Sequence, residues 1–377
     1  MQNIKTFYFD SAATTPIDLE VIKLMNDINL SYFGNPSSIH QQGQKSHNII
    51  EKSRKSIAQL LQCSDSEILF TSGGSESNNI VLKGALKAGD HFITSSYEHP
   101  SIIKLVSELQ SKNIEVSIIK PNSDGIIETQ MVLSEIKENT KLVSIMYVNN
   151  ELGTLNPIPE IGKALKNKNI FFHSDAVQYA GKGELDLSSL NIDMLSLGAH
   201  KFYGPKGIGI LYIKKGISIE PLISGGGQEN GMRAGTENIA AIAGMELALK
   251  IAYSNFDSNH AYIKSLENHF LKKLTDNNID YRVNGERDRI NGILNITFFQ
   301  VDGHALLINL DMLNIAISYG SACSSGSASV PKTLLEIDMP EEEARCTVRI
   351  SIGKTINKDD INFLIDSLKN IIGRIKK

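Results

Sequence analysis

The chain has 377 residues, of which 41% are apolar and 21% charged, with a formal net charge of −4. That length exceeds what one hydrophobic core usually supports, so two domains are expected; the balanced composition excludes a disordered chain, and the absence of clustered basic residues speaks against nucleic acid as a partner. The three cysteines, Cys63, Cys323 and Cys346, are too few and too unevenly spaced for a disulfide framework or a paired-cysteine zinc site, and with no signal-like or membrane-spanning apolar run a cytoplasmic, membrane-free protein is expected.

Along the chain, short apolar runs alternate with helical patterns from about residue 67 to 213, the signature of a mostly parallel sheet wrapped by helices, and hence of an α/β fold. Buried strands are predicted over 67–70, 91–94, 115–119, 142–148, 170–173 and 194–197. After the tight turn from Tyr203 to Gly207, the run 208–213 is short enough to predict an antiparallel partner. The large domain is expected to cover 16–250. A helix over about 259–274 and strands near 293–298 and 347–352 predict a smaller α+β domain made of 1–15 and 251–377.

Ligands of open α/β sheets gather at the carboxyl ends of strands. The residues there are polar or glycine-rich: Ser72 to Glu76, Tyr97 to His99, Asn149 to Glu151, Asp175 to Gln178 and Gly198 to Lys201. Gly73, Gly74 and Ser75 stand between a strand and a helix, where unpaired N–H groups and the helix dipole favour an anion. The segment has neither a dinucleotide fingerprint nor a Gly-Lys-Ser/Thr ending, and an ordinary strand-to-helix turn is the alternative. Asp175 at a buried strand end calls for a cation such as a pyridinium nitrogen, the alternative being an exposed helix cap. Lys201 lies just past the next strand. Partial burial would lower its pKa and free its amine to attack an aldehyde, whereas Lys206, in a Gly/Pro turn, reads as solvated.

In Arg345 to Ser351, alternation puts Cys346, Val348 and Ile350 on one face and Arg349 on the other, free to face a cleft and engage a carboxylate with paired hydrogen bonds. Cys346 then reads as a packed thiol, and Cys63 sits at a helix-to-strand connection with nothing catalytic beside it. Cys323 differs. Its Gly/Ser/Ala surroundings have no apolar periodicity, which suits a nucleophile that must swing between two positions. The histidines His40, His47, His91, His99, His173 and His200 include no pair with zinc-site spacing plus a carboxylate, so no intrinsic metal is expected.

Taken in order, these segments resemble the class V aminotransferase superfamily, and within it the cysteine desulfurases of the NifS and IscS type. The resemblance runs nearly end to end. It is carried by Asp10 to Pro16, Gly34 to His40, the 72–76 turn, Val148 to Gly153, the Lys201 segment, Gly226 to Asn238 and Gly320 to Ser327. It implies a pyridoxal-phosphate-dependent transferase fold, aspartate aminotransferase-like, with pyridoxal 5'-phosphate as cofactor. By the resemblance, Lys201 forms the Schiff base, Asp175 pairs with the ring nitrogen, Gln178 bonds the phenolic oxygen and His99 stacks on the ring. Gly74, Ser75 and His200 would hold the phosphate, with Gly198 contributing backbone only and Thr236 reaching in from the partner of an obligate homodimer. Asn35, Asn150 and Arg349 would contact the substrate, Asn150 also lying against the cofactor. One departure is Gly198, where many relatives carry Ser or Thr and so a hydroxyl for the phosphate.

The same resemblance implies that L-cysteine is converted to L-alanine while Cys323 takes the sulfur as a persulfide. Lys201 would move the α-proton, assisted by His99. The sulfur would pass to an acceptor protein such as an iron–sulfur scaffold, or into tRNA thiolation, with a transient iron–sulfur contact at Cys323 possible. A selenocysteine lyase or plain aminotransferase fits the cofactor residues equally, and only the Cys323 loop separates them. A catalytically silent sulfur scaffold conflicts with the retention of Lys201, Asp175, His99 and Cys323, and a nicotinamide-dependent dehydrogenase lacks its glycine motif.

Overall fold

The computed structural model describes residues 5–285, 289–320 and 330–376. After a short strand β1 (Phe7–Tyr8) and two helices, α1 (Leu19–Ser31) and α2 (Gln41–Leu61), the chain builds its largest sheet. The strands are β2 (Ile68–Thr71), β3 (His91–Ser95), β4 (Glu115–Ile119), β5 (Thr140–Ser144), β6 (Phe171–Asp175), β7 (Met194–Gly198) and β8 (Gly209–Ile213), in the order β2-β8-β7-β6-β5-β3-β4. Neighbours from β4 to β7 pair in parallel, whereas β8 runs antiparallel to both β2 and β7, as the short connection after Lys201 requires. β3 and β7 are buried along their whole length, so no inward–outward alternation of apolar and polar residues marks them.

The run 142–148 differs from its expectation. β5 ends at Ser144, although Ile145 and Tyr147 still donate backbone hydrogen bonds to His173 and Asp175. The reason is a tight turn beyond it: the Asn149 carboxamide accepts from the N–H groups of Glu151 and Leu152, and Val148 bridges to Leu155 instead of extending the sheet.

A second sheet of β9 (Tyr281–Asn284), β10 (Ile293–Phe298) and β12 (Thr347–Ser351) is antiparallel, in the order β12-β10-β9. β1 pairs in parallel with β11 (Ile315–Ala316). Two main cores result. One lies between the large sheet and its helices, including Phe70, Val143, Phe172 and Leu197; the other gathers Phe9, Phe270, Ile296, Val348 and Leu364. Phe9 and Ala12 belong to different cores, so the segment between them is pinned from both sides. Among the described residues no helix is long and apolar enough to cross a membrane, and no group of three His, Cys, Asp or Glu side chains could hold a metal ion.

Candidate active site

Helix α3 (Gly74–Ala85) follows β2 directly. Gly73 has φ 147°, a conformation that favours glycine, and a Cβ on Gly74 would lie 2.5 Å from Cγ2 of Val177. Two glycines are therefore needed for the backbone to turn and pass close to the segment after β6. The first N–H groups of α3 lack intrahelical partners and face an open cleft of about 750 Å³ that Gly74, Ser75, His99, Asn150, Asp175, Gln178, His200, Lys201 and Arg349 all line.

Lys201 ends a short 3₁₀ turn (Ala199–Lys201) after β7, and its Nζ donates to the carbonyls of Ala12 at 2.6 Å and Ala13 at 2.9 Å. The amine is thus held in the cleft by the segment that joins the two cores. Next to it, burial and then Lys201, Lys206, Lys182 and His99 push His200 down to about 4, so its ring is neutral at pH 7. Lys206 is exposed, as its turn predicts.

Asp175 closes β6 and is buried. Its Oδ2 accepts from Nδ2 of Asn78 at 2.7 Å and its Oδ1 from the N–H of Val177 at 3.0 Å; both are neutral donors, and among the described residues no salt bridge reaches it. The exposed-cap alternative is thereby removed. Asn78, on α3, also donates to Oγ of Ser101 at 2.9 Å, and that hydroxyl lies 2.7 Å from Nδ1 of His99. Because the Ser101 N–H also donates to this Nδ1, the nitrogen is an acceptor and a neutral His99 carries its proton on Nε2. Neighbouring Glu98 is pushed up to about 8 by burial, despite hydrogen bonds from Ser95 and the Met146 N–H, with Asp175 adding to the rise.

Arg349, on β12, is 2% exposed. It does face the cleft, but it is not idle: Nη2 donates to Asp10 at 2.7 Å and to Oγ of Ser318 at 2.9 Å, and Nη1 to the Asn150 carbonyl at 2.9 Å. Its Nε is buried with no partner among the described residues, a donor suited to an anion. Cys346 departs from its expectation, since it caps the helix Glu341–Arg345 ahead of β12 and is half-buried rather than packed on the strand's apolar face. Burial pushes the Cys63 thiol up to about 12, which keeps it inert.

Not every expected residue reaches this cleft. Gly198 ends β7 and pairs with Gly209 without lining the cavity. Asn35 and Thr236 are exposed and lie outside it; their chain neighbours Pro36 and Glu237 line a separate groove. Cys323 lies outside the described residues. Conversely, Asn78, Asp10 and Lys182 carry site interactions that were not anticipated, although Asp10 opens the segment Asp10 to Pro16 already singled out and Asn78 lies two residues past the 72–76 turn.

An anion at the head of α3 and a cationic ring nitrogen against Asp175 are two ends of one small molecule, with an aldehyde for Lys201 between them. That charge pattern defines an α/β enzyme dependent on pyridoxal phosphate. The family model of class-V aminotransferases matches residues 7–364. A cysteine desulfurase IscS from Dictyoglomus turgidum is 40% identical over 98% of this chain and 95% of its own length, and one from Clostridium botulinum (strain Hall) is 38% identical over 98% and 94%. Among solved structures, a NifS-like protein superposes with a TM-score of 0.92 at 32% identity, covering 98% of this chain and all of the other. SspA in complex with cysteine reaches 0.82 at 37% identity over 93% of this chain. The chain belongs to the class-V aminotransferases and, within them, to the cysteine desulfurases of the NifS and IscS type, with the pyridoxal-phosphate-dependent transferase fold.

Proposed function

We propose that the cleft removes sulfur from L-cysteine, releasing L-alanine and leaving a persulfide on Cys323, with the residue roles set out below. The observation that carries this reading is that Lys201 Nζ opens into one cleft with the head of α3, the buried Asp175 and the Nε of Arg349, which has no partner among the described residues. Those groups fit pyridoxal phosphate plus an amino-acid carboxylate. When bound, the cofactor supplies an electron sink for charge at the substrate's α-carbon.

The protein's own residues do the rest. Gly74, Ser75 and His200 hold the phosphate, Asp175 keeps the ring nitrogen protonated, and Gln178 donates to the phenolic oxygen. Arg349 and Asn150 bind the substrate carboxylate, Arg349 being prepositioned by Asp10 and Ser318. Lys201 moves the proton at the α-carbon, and His99 stacks on the ring and offers its Nε2 proton. The Cys323 thiolate attacks the substrate sulfur; the S–S bond forms as the Cβ–S bond breaks, its electron pair passing to carbon, and a proton completes alanine.

The enzyme acts as a homodimer in this reading. Leu19, Leu30, Phe33 and Ile39 are 81, 80, 76 and 91% exposed, an apolar surface that a second copy would cover, and Asn35 and Thr236 would then serve the partner's cleft. Residues 16–250 form the cofactor-binding domain, and 1–15 with 251–377 the domain that carries Cys323. The persulfide passes, in the cytoplasm, to an acceptor protein such as an iron–sulfur scaffold. Lys201→Ala should lose the yellow colour of the loaded enzyme together with turnover. Cys323→Ser should stay yellow and bind cysteine but form no persulfide; normal alanine and sulfide output from it would sink the assignment. Following labelled sulfur from Cys323 in a cell extract identifies the acceptor.

A further inference from the structure

We propose that Lys182 is a positioning residue: it anchors and polarises the carboxamide of Gln178 so that this amide presents its NH2 group, and not its oxygen, to the cofactor side of the cleft. The inference rests on the cofactor reading above. Lys182 lies in the turn that follows β6, next to Gly181, whose φ of 72° and whose Cβ position, 2.5 Å from Cβ of Phe202, keep that turn tight. Its Nζ donates to Oε1 of Gln178 at 2.5 Å, while Nε2 of Gln178 donates to the Ala12 carbonyl at 2.7 Å. An ammonium can only donate and a carbonyl can only accept, so the two partners together dictate which end of the amide is nitrogen. Ala12 O is shared with Lys201 Nζ, whereas the oxygen end of the amide is held by Lys182. Nε2 retains a second hydrogen, and Gln178 lines the cleft with Asp175 and Lys201.

A cation on the amide oxygen also makes the amide N–H a stronger donor. The ammonium itself is driven down to about 7 by burial and by Lys201 and Arg349, so the position is electrostatically costly for a lysine that only filled space. The charged and titratable groups around it include Lys201, Arg349 and His200 on the cleft side, with Asp18, Tyr203, His260 and Lys354 lining the cavity behind it. None of these groups is hydrogen-bonded to the Gln178 oxygen, which Lys182 holds.

The test is a spectroscopic pH titration of the cofactor-loaded protein, reading the midpoint at which the visible band of the lysine-bound cofactor changes. A donor at the phenolic oxygen loosens the proton shared between that oxygen and the lysine-derived nitrogen, so loss of the donor raises the midpoint. Lys182→Met should raise it by about one pH unit, and Lys182→Gln, which keeps a neutral donor for Oε1, by about half as much. Gln178→Leu should raise it as Lys182→Met does, and adding either Lys182 substitution to Gln178→Leu should add little. Midpoints unchanged in the Lys182 variants overturn the proposal. So does a shift that persists in full on the Gln178→Leu background, since Lys182 would then act through space and not through the amide. The Lys182→Gln pair carries the comparison even where Lys182→Met fails to fold. A visible band missing from the wild-type protein, or surviving in Lys201→Ala, overturns the cofactor reading itself and with it this proposal.

Discussion

Asn78 is where the cofactor end of the site depends on a residue that touches no ligand. It is fully buried on α3, and the two hydrogens of its Nδ2 are both used, one on Asp175 Oδ2 and one on Ser101 Oγ. Asn78→Leu keeps the number of side-chain heavy atoms and removes both. A hydrogen bond to a charged acceptor contributes about 1.5–3 kcal/mol, and the Ser101 bond about 0.5–1.5 kcal/mol. Against this stand the apolar gain of a buried leucine and the relief of Asn78 Oδ1, which is buried with no partner among the described residues and costs about 1–3 kcal/mol. The fold of the cofactor-free protein should therefore change by no more than about 1–2 kcal/mol. The Asp175 carboxylate, though, loses its lateral hold and its fixed orientation. If the charged-acceptor bond is felt wholly in cofactor binding, affinity for pyridoxal phosphate falls about 10- to 150-fold. Equilibrium dialysis against the cofactor, alongside denaturant unfolding of the cofactor-free protein, separates the two effects. Cofactor affinity within twofold of wild type, or a stability loss that accounts for the whole affinity loss, would refute the positioning role of Asn78.

Gly74→Ala drives a methyl into Val177 Cγ2 at 2.5 Å, so despite a better helix propensity it should weaken cofactor binding at least about tenfold, read by the same dialysis. Gly198→Ser meets nothing closer than 3.4 Å and has an ordinary φ of −139°, so the serine should fit; slower cofactor dissociation than wild type is expected if its hydroxyl reaches the phosphate. His173 sits between Ser144 Oγ and Ser196 Oγ and is pushed from 6.5 to about 4 by burial, so the unfolded chain takes up the proton first and stability falls as pH drops from about 6.5 to 4. His173→Gln should flatten that acid limb by up to about 3 kcal/mol in urea unfolding at successive pH values. Glu98, raised from 4.5 to about 8, has the opposite sign, holding its proton in the fold while the unfolded chain releases it, and should make stability fall again as pH rises through that range.

How much of this was legible from the sequence depends on the range over which each residue's role is decided. Strand ends are local. Asp175, His99 and Lys201 could be placed because a buried apolar run followed by a polar break puts them at the carboxyl edge of a sheet, and the structure brings them to one cleft. Where β5 stops is also set locally, but by a feature that apolar periodicity does not register: the Asn149 carboxamide closes a turn on Glu151 and Leu152. Arg349 was expected to face a cleft freely; its partner Asp10 stands 339 residues away, and no spacing rule reaches so far. Lys182 shows the limit most clearly. In a glycine-bounded turn it has every sequence mark of a solvated lysine, as Lys206 does, yet Lys206 is exposed while Lys182 Nζ lies on the Gln178 amide. Local pattern does not separate the two. The residues at the strand ends that line the cleft are therefore the ones a sequence displays, because chemistry restricts their type and topology their place. Those that orient them, Asn78 and Lys182, are defined by contacts made only when α3, β6 and the Asp10–Ala13 segment are packed together.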